Sequence, residues 1–177
     1  MHNDERDIPF LREADVASVL TMRELIPAME QALIDYSAGR IAQPDRQMLP
    51  VPKAGGFFGA MPAVGESVGV KLVNFFPGNA QLALPTHLAL ILLFKPETGE
   101  PLAIMDGRLI TEMRTSAVSA AVLNKIAPSK PKVLAILGAG LQAKTHIEAL
   151  SEVREFEEVR VWARSADKAK AFADQVG

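Results

Sequence analysis

The hydrophobic positions between residues 10 and 40 recur at the spacing of a helix. A T-x-x-E capping box at Thr21 and Glu24 marks a helix start, and Gly39 is placed to end the helix as a C-cap. An apolar stripe of this kind is typical of a helix face that packs on a core. The stripe consists of Met22, Leu25, Ile26, Met29, Leu33 and Tyr36.

Residues 46 to 106 follow a different pattern, that of β-strands separated by proline and glycine. The segment KPETGEP at 95–101 predicts a hairpin connection, and neighbouring strands joined this tightly form an antiparallel sheet. The predicted strands are QMLPV (47–51), GGFFGAMPAV (55–64), SVGVKLVNFF (67–76), HLALILLF (87–94) and PLAIMD (101–106).

The rest of the chain combines helices with strands of another kind. An alanine-rich helix at 109–126 precedes a short linker with two prolines at 127–132, where we predict a domain boundary. The run VLAIL at 133–137 is apolar throughout, which is typical of a parallel strand covered on both faces. A helix from 141, the strand EVRVWAR at 158–164 and the helix SADKAKAFADQV at 165–176 follow.

A glycine turn joins the VLAIL strand to the helix after it. Residues 138–143, GAGLQA, fit the pattern G-x-G-x-x-[G/A]. The first glycine permits a tight turn, the second lets the backbone approach a pyrophosphate, and the small third position lets helix and strand pack closely. Phosphate can then bind to the N–H groups at the helix start. We therefore predict a dinucleotide site, with a βαβ unit that binds no ligand as the alternative. Its residues are Gly138, Ala139, Gly140, Leu141 and Gln142.

The residues after the second strand bear on which dinucleotide binds. Domains that prefer NAD usually carry an Asp or Glu here for the ribose 2′-hydroxyl, whereas an arginine suits the 2′-phosphate of NADP. This chain has Arg164 and Ser165, which can both donate to a phosphate, and no carboxylate at the tip. We therefore expect NADP(H) to be preferred over NAD(H). The alternative is that Arg164 is a solvated surface charge and that Ser165 only caps the next helix.

Composition excludes several other functions. The 19 Lys and Arg residues nearly balance the 21 Asp and Glu residues, so no nucleic-acid-binding surface is expected. Cysteine is absent, which leaves no disulfide and no thiolate chemistry. The charged N-terminus lacks the apolar run of a signal peptide, and the longest apolar stretch, at 87–94, is too short to span a bilayer. A soluble cytoplasmic protein without membrane contact is the default expectation.

Three segments together resemble the ornithine cyclodeaminase/mu-crystallin family. They are VGVKLVNFFPGN (68–79), the segment 84–120 that contains MDGRLITEMRTSAVSA, and LAILGAGLQAKTHIEAL (134–150). The resemblance covers nearly the whole chain, from about Phe10 onward. It implies an α/β fold in which a substrate-binding and dimerising domain with an antiparallel sheet precedes a Rossmann NAD(P)-binding domain. It also implies a homodimer.

The resemblance further implies which side chains bind the ligands. In this family a lysine in the GVK strand and two arginines surround the substrate carboxylate. Lys71 would be the catalytic residue, because it orients or polarises that carboxylate. The matching substrate residues here are Arg46, Lys71 and Arg114. Thr86 matches a position near cofactor and substrate, and Thr115 matches a cofactor contact.

Residue chemistry agrees with these roles but leaves alternatives open. A lysine inside an apolar strand must find an anionic partner or lower its pKa, unless the sheet is half-exposed and Lys71 faces solvent. Arg114 lies among Ala, Ser and Val, where its forked guanidinium could clamp a carboxylate, or it could be an interface or surface arginine. His87 and His146 have no further ligand at metal-binding spacing. We therefore expect no metal site and interpret His87 as structural.

Two domains are predicted, residues 1–128 for substrate binding and dimerisation and residues 129–177 as the N-terminal part of a Rossmann domain. A parallel sheet needs helices on both faces and neighbours at its edges, and residues 132–177 supply only one βαβ unit. The acid–base aspartate of the cyclodeaminases has no matching position. We therefore expect the Rossmann domain to be incomplete and the chain to be a fragment of a longer enzyme.

The expected function is that of an NAD(P)-dependent oxidoreductase. Its substrate would be a small amino acid or cyclic imino acid, as in ketimine or 1-pyrroline-2-carboxylate reductases. The lysine and the arginines would position the substrate Cα against the nicotinamide. Three alternatives stay open: an ornithine cyclodeaminase, which is an ammonia-lyase; a non-catalytic NADPH-binding protein of the mu-crystallin type; and an inactive remnant.

Overall fold

Residues 7–176 are described in a computed structural model, and they form two β-sheets and five α-helices. The strands are β1 (Phe10–Leu11), β2 (Gln47–Val51), β3 (Gly56–Val64), β4 (Val68–Phe75), β5 (His87–Phe94), β6 (Pro101–Asp106), β7 (Val133–Leu137) and β8 (Glu158–Trp162). The helices are α1 (Glu13–Val19), α2 (Met22–Ser37), α3 (Arg108–Ile126), α4 (Leu141–Ser151) and α5 (Ala166–Val176).

The larger sheet has the strand order β1-β6-β5-β4-β3-β2. Its neighbours are antiparallel except β1, which pairs in parallel with β6. The predicted hairpin joins β5 to β6, where the Gly99 N–H donates to the Lys95 carbonyl at 2.8 Å. The smaller sheet pairs β7 with β8 in parallel. The predicted fold class is thus confirmed.

None of the helices within residues 7–176 combines the length and the apolar character needed to cross a bilayer.

The start of the chain differs in part from its prediction. Residues 10–11, expected to be helical, form β1 instead and pair with residues 104–105 of β6. A two-residue strand shows no periodicity, so the sequence pattern could not reveal it. The N-cap half of the capping box is confirmed, because the Thr21 Oγ1 accepts the Glu24 N–H at 3.3 Å. The Glu24 carboxylate accepts from the Thr21 hydroxyl at 2.8 Å, whereas a full capping box would have it accept the Thr21 N–H. This cap begins α2 separately from α1.

Strand register places Lys71 in the middle of the larger sheet. Lys71 lies opposite Met61 of β3 on one side and opposite Ile91 of β5 on the other. Side chains in one such row point to the same face of a sheet. Arg46 directly precedes β2. If the register of β2 with β3 continues by one residue, Arg46 falls beside Met61 and thus on the face that carries Lys71.

The chain divides into two compact units by its internal packing. The first contains the residues up to Val19 and Ile34–Thr111, and therefore the larger sheet. The second contains Leu20–Leu33 and the chain from Glu112 onward, and therefore the smaller sheet. This division describes packing alone. The predicted functional domains, residues 1–128 and 129–177, stay a prediction.

Small side chains form much of the core of the second unit. Ala117 and Ala120 of α3 and Ala149 of α4 are 0% exposed. An alanine adds only a methyl group to the backbone, so the elements that meet in this core can approach closely. The other members of the core are Met22, Ile26, Ala121, Leu134 and Leu150.

Arg154 closes the C-terminal end of α3. Its guanidinium donates to the main-chain carbonyls of Asn124 at 3.0 Å and Pro128 at 3.3 Å. Carbonyls in the last turn of a helix lack partners within the helix, and a cation there also complements the helix dipole. The linker at 127–132 is therefore tied to the segment that follows α4.

The turn from β6 into α3 packs tightly on β5. The Gly107 N–H donates to the Ala89 carbonyl at 2.8 Å, and the Asp106 carboxylate accepts the Arg108 N–H at 2.8 Å. A Cβ on Gly107 would lie 2.9 Å from the Ala89 Cβ, so this close approach requires glycine. Arg108 forms an ion pair with Glu13 of α1. The first turn of α3 is therefore anchored within the first unit.

We expect Gly107→Ala to lower the free energy of unfolding by about 1–3 kcal/mol, because the added methyl group overpacks against Ala89. Urea denaturation followed by circular dichroism measures the change. Gly78→Ala is the matched control, since a Cβ on Gly78 meets nothing within 4 Å. Equal losses in the two variants, or no loss in Gly107→Ala, would contradict the packing argument.

Candidate active site

The turn after β7 has the backbone geometry expected of a dinucleotide-binding turn. Gly138 has a φ of +131°, which residues with a side chain rarely adopt. Its N–H donates to the Trp162 carbonyl at 2.8 Å, so the turn is tied to the end of β8. Gly140 is the N-cap of α4 and supplies no side-chain cap. The first N–H groups of α4 are therefore open to an external acceptor such as a phosphate.

A cavity of about 730 Å³ lies at the ends of β7 and β8. Its size is within the range of small-molecule sites. Four predicted cofactor residues line it, together with four residues that the sequence analysis did not name. The predicted ones are Gly138, Ala139, Arg164 and Ser165, and the others are Leu137, Trp162, Ala163 and Lys168.

The side chains that line this cavity carry positive charge. Arg164 and Lys168 form no ion pair with another residue in the described part of the chain, and no carboxylate lines the cavity. Lys170, on the same helix as Lys168, is instead paired with Asp174 at 2.8 Å. Sequence analysis missed Lys168 because only the start of α5 brings it back towards the tip of β8. The helix cap at Ser165 was the one indication of Lys168 in the sequence, since the cap fixes where α5 begins and so puts Lys168 in its first turn.

Ser165 both caps α5 and keeps a donor for a ligand. Its Oγ accepts the Lys168 N–H at 3.3 Å. A serine hydroxyl has one proton to donate besides the lone pairs that accept. Capping therefore does not compete with a hydrogen bond from Ser165 to a phosphate, and the two interpretations of this residue are compatible.

Arg160 of β8 is engaged differently from Arg164. Its guanidinium donates to both carboxylate oxygens of Glu158, at 2.9 and 2.8 Å. The hydrogen bonds from Arg160 hold the pKa of Glu158 below its usual value, and the same bonds raise the pKa of Arg160. Arg160 is thus paired on the strand surface, whereas Arg164 lines the cavity.

A second cavity, of about 390 Å³, is lined by β7 and the first turns of α4. Gly140 and Gln142, both predicted, line it together with His146. His146 Nδ1 lies 2.6 Å from the Gln142 carbonyl oxygen, and its Nε2 lies 3.1 Å from the Ser119 Oγ. Leu141, the remaining residue of the predicted turn, begins α4 and is 52% exposed.

The predicted substrate-binding residues are distributed over both units. Arg46 and Lys71 belong to the first unit, where Lys71 lies in β4 and Arg46 directly precedes β2. Arg114 belongs to the second unit and lies in α3, directly before Thr115. Whether these residues act as one site stays a prediction.

Thr86 is fixed at the start of β5. Its hydroxyl lies 3.2 Å from His87 Nδ1, and the His87 ring lies against Phe75 with centroids 4.5 Å apart. Asn79 closes the preceding loop, because its Nδ2 donates to the Pro85 carbonyl at 2.9 Å. These contacts support a structural role for His87 and hold Thr86 in place.

The class of this part of the chain follows from four consecutive elements: a strand, a glycine turn, a helix and a second strand parallel to the first. They form the opening unit of a Rossmann-type dinucleotide-binding domain. The model of the ornithine cyclodeaminase/mu-crystallin family matches residues 7–177. The chain belongs to that family, as its sequence motifs predict.

Proteins similar to the chain include reductases of cyclic imines. Ketimine reductase mu-crystallin of Mus musculus is 44% identical over 158 residues, which cover 86% of this chain and 50% of that protein. The Δ1-pyrroline-2-carboxylate/Δ1-piperideine-2-carboxylate reductase of Azospirillum brasilense is 38% identical and covers 93% of this chain and 53% of its own. The chain thus spans about half the length of these relatives.

Two solved structures share the fold closely. The Δ1-pyrroline-2-carboxylate reductase of Thermococcus litoralis, in complex with NADH and L-proline, has a TM-score of 0.89 at 37% identity and matches 96% of this chain and 53% of that one. An archaeal alanine dehydrogenase dimer with bound NAD has a TM-score of 0.90 at 35% identity and matches 95% and 52%.

Proposed function

We propose that the protein is an NAD(P)-dependent reductase of a cyclic imino acid, of the ketimine or 1-pyrroline-2-carboxylate type. The observation that carries this proposal is the cationic cavity beside the glycine turn. Relatives named as ketimine and pyrroline-2-carboxylate reductases support the substrate class. The NADH and L-proline in the Thermococcus litoralis complex support a nicotinamide cofactor and a small substrate that carries a carboxylate.

The cofactor would bind across the glycine turn. Its pyrophosphate would accept hydrogen bonds from the N–H groups at the start of α4, where Gly140 leaves them uncapped. Its ribose 2′-phosphate would lie in the larger cavity, beside Arg164 and Ser165. A carboxylate in that cavity would repel a phosphate, and none of the lining residues within 7–176 carries one. NADP(H) is therefore the preferred cofactor, with NAD(H) as the alternative. Thr86 and Thr115 are further proposed contacts.

The substrate carboxylate would be held by Lys71, Arg46 and Arg114. Lys71 is half-buried in an apolar strand, where its ammonium group could pair with the carboxylate of a substrate. Arginine forks bind a carboxylate through two parallel hydrogen bonds and so fix its orientation. This arrangement would leave the imine carbon facing the nicotinamide.

Reduction of the imine needs positioning more than covalent catalysis. A reduced nicotinamide, when bound, would supply the hydride for the imine carbon, and solvent would supply the proton that turns the imine nitrogen into an amine. Lys71 would orient the carboxylate next to that carbon and neutralise its charge, so that the carbon accepts the hydride more readily. The arginines would share that charge.

We also infer a homodimer that forms through one face of the larger sheet. Strand register gathers five apolar side chains on the face opposite to Lys71. Leu49, Leu88 and Leu90 are 63%, 43% and 40% exposed there. Exposed apolar side chains gathered on one face are typical of an interaction surface, although Asn74 lies between Phe58 and Leu88. The similar archaeal alanine dehydrogenase is a dimer. The five residues are Leu49, Phe58, Leu72, Leu88 and Leu90.

Arg164→Ala should raise the Kd for NADPH by about tenfold or more and leave the Kd for NADH almost unchanged, because a charged hydrogen bond to the 2′-phosphate is lost. Isothermal titration calorimetry with both cofactors measures the ratio. Arg160→Ala is the matched control, since Arg160 is paired with Glu158. Tighter binding of NADH than of NADPH by the unmodified protein would refute the cofactor preference.

Lys71→Ala should lower kcat/KM by on the order of a hundredfold in the NADPH-dependent reduction of Δ1-pyrroline-2-carboxylate, because the substrate carboxylate loses its partner. Lys95→Ala is the control, since Lys95 lies in the hairpin near Glu100. Full activity of Lys71→Ala would contradict the proposed site.

Deamination of ornithine without net cofactor oxidation would instead favour a cyclodeaminase. That class is represented among similar structures by a lysine cyclodeaminase of 30% identity.

Leu88→Glu should convert the dimer into a monomer, because a buried charge at an apolar interface is costly. Sedimentation velocity measures the change in mass. Leu82→Glu is the control, as Leu82 is 69% exposed but ends the short 3₁₀ helix Pro77–Leu82 before β5, outside this sheet face. A dimer that persists in Leu88→Glu would place the interface elsewhere.

A further inference from the structure

A hydrogen-bonded bridge joins α3 to the first turn of α4 within the second unit. The Ser119 Oγ lies 3.1 Å from His146 Nε2, and His146 Nδ1 lies 2.6 Å from the Gln142 carbonyl oxygen. A carbonyl oxygen only accepts, so Nδ1 carries the proton and donates it. In the neutral imidazole, Nε2 then accepts from the Ser119 hydroxyl.

Each end of this bridge lies at a proposed cofactor contact. Gln142 belongs to the glycine turn. Ser119 follows Thr115 by one helical turn on the same face of α3, and its Oγ lies 3.5 Å from the Thr115 carbonyl oxygen. The bridge therefore connects the turn to the part of α3 that carries Thr115.

The apolar packing around the bridge does not by itself fix how the two helices align. Ala117 and Ala120 of α3 and Ala149 of α4 share one core. Larger side chains such as Leu150 of α4 also belong to this core, but hydrophobic attraction has no preferred direction. Hydrogen bonds require defined distances and angles. The bridge thus adds a directional contact between α3 and α4 to this apolar packing.

We propose that Ser119 and His146 are positioning residues for the nicotinamide cofactor. They hold the glycine turn in register with Thr115 and act through Gln142, without touching the cofactor themselves. The inference rests on the proposed function, and it identifies two residues of the cofactor site that the glycine-turn motif does not include.

Ser119→Ala and His146→Asn test this bridge, each alone and both together. An asparagine at 146 keeps a donor near the position of Nδ1 but is too short to reach Ser119. Each single variant should raise the Kd for NADPH by about fivefold, as expected for the loss of one hydrogen bond. The double variant should show the same loss as a single one, because either change breaks the bridge. Calorimetric titration measures Kd, and thermal unfolding measures Tm.

Two controls separate positioning from general stability. Ser116→Ala removes a hydroxyl from the same helix that bonds only to the Met113 carbonyl, and it should leave the Kd for NADPH unchanged. The fragment 2′-AMP should bind all variants equally, because its phosphate would lie beside Arg164, away from the bridge. If the variants bound both NADPH and 2′-AMP more weakly, in proportion to their loss of Tm, the two residues would have a structural role and the inference would be overturned. Additive losses of NADPH affinity in the double variant would also overturn it.

If the unmodified protein bound 2′-AMP but the variants bound NADPH normally, only the bridge would fail. If the unmodified protein bound neither ligand, the proposed function would fail as well.

Discussion

The second unit depends on how closely α3 can approach its neighbours. Ala117 and Ala120 are fully buried, so at these two positions only a methyl group separates the α3 backbone from the larger side chains of the core. A larger residue at either position would push the elements apart, because a well-packed core tolerates little added volume. Arg114, Thr115 and Ser119 lie on this same helix, and their positions therefore depend on that spacing.

Several cations of the second unit are paired with carboxylates, whereas the two that line the larger cavity are not paired with any carboxylate among residues 7–176. Lys144 and Lys170 lie within ion-pair distance of acids one turn further along their own helices, and Arg160 is paired on β8. Such exposed pairs add little stability, but they reduce the number of cations that compete for an anion nearby. Arg164 and Lys168 have no such pairing among residues 7–176 and line one cavity. A phosphate that entered it would meet two cations and a hydroxyl.

The features that sequence predicts well are those fixed by neighbours along the chain. The glycine turn, the helix N-cap at Thr21 and the hairpin at 95–101 each depend on a few consecutive residues, and all three are present. The resemblance to the family adds Lys71 and Arg114, whose local surroundings alone favour no particular role. Sequence does not reveal contacts between distant segments. The bond between Ser119 and His146 spans 27 residues, and the packing of the start of α2 with α3 has no local signature.

Trp162 has a consequence for how this chain can be studied. It is the only tryptophan in the sequence, it is 61% exposed, and it lines the cavity beside Arg164. The indole emission of the whole chain therefore reports on one small region. A ligand that enters this cavity would change the polarity around the ring, and a reduced nicotinamide nearby would absorb its emission. The chain thus carries its own fluorescent reporter at the proposed cofactor cavity, and no label has to be attached.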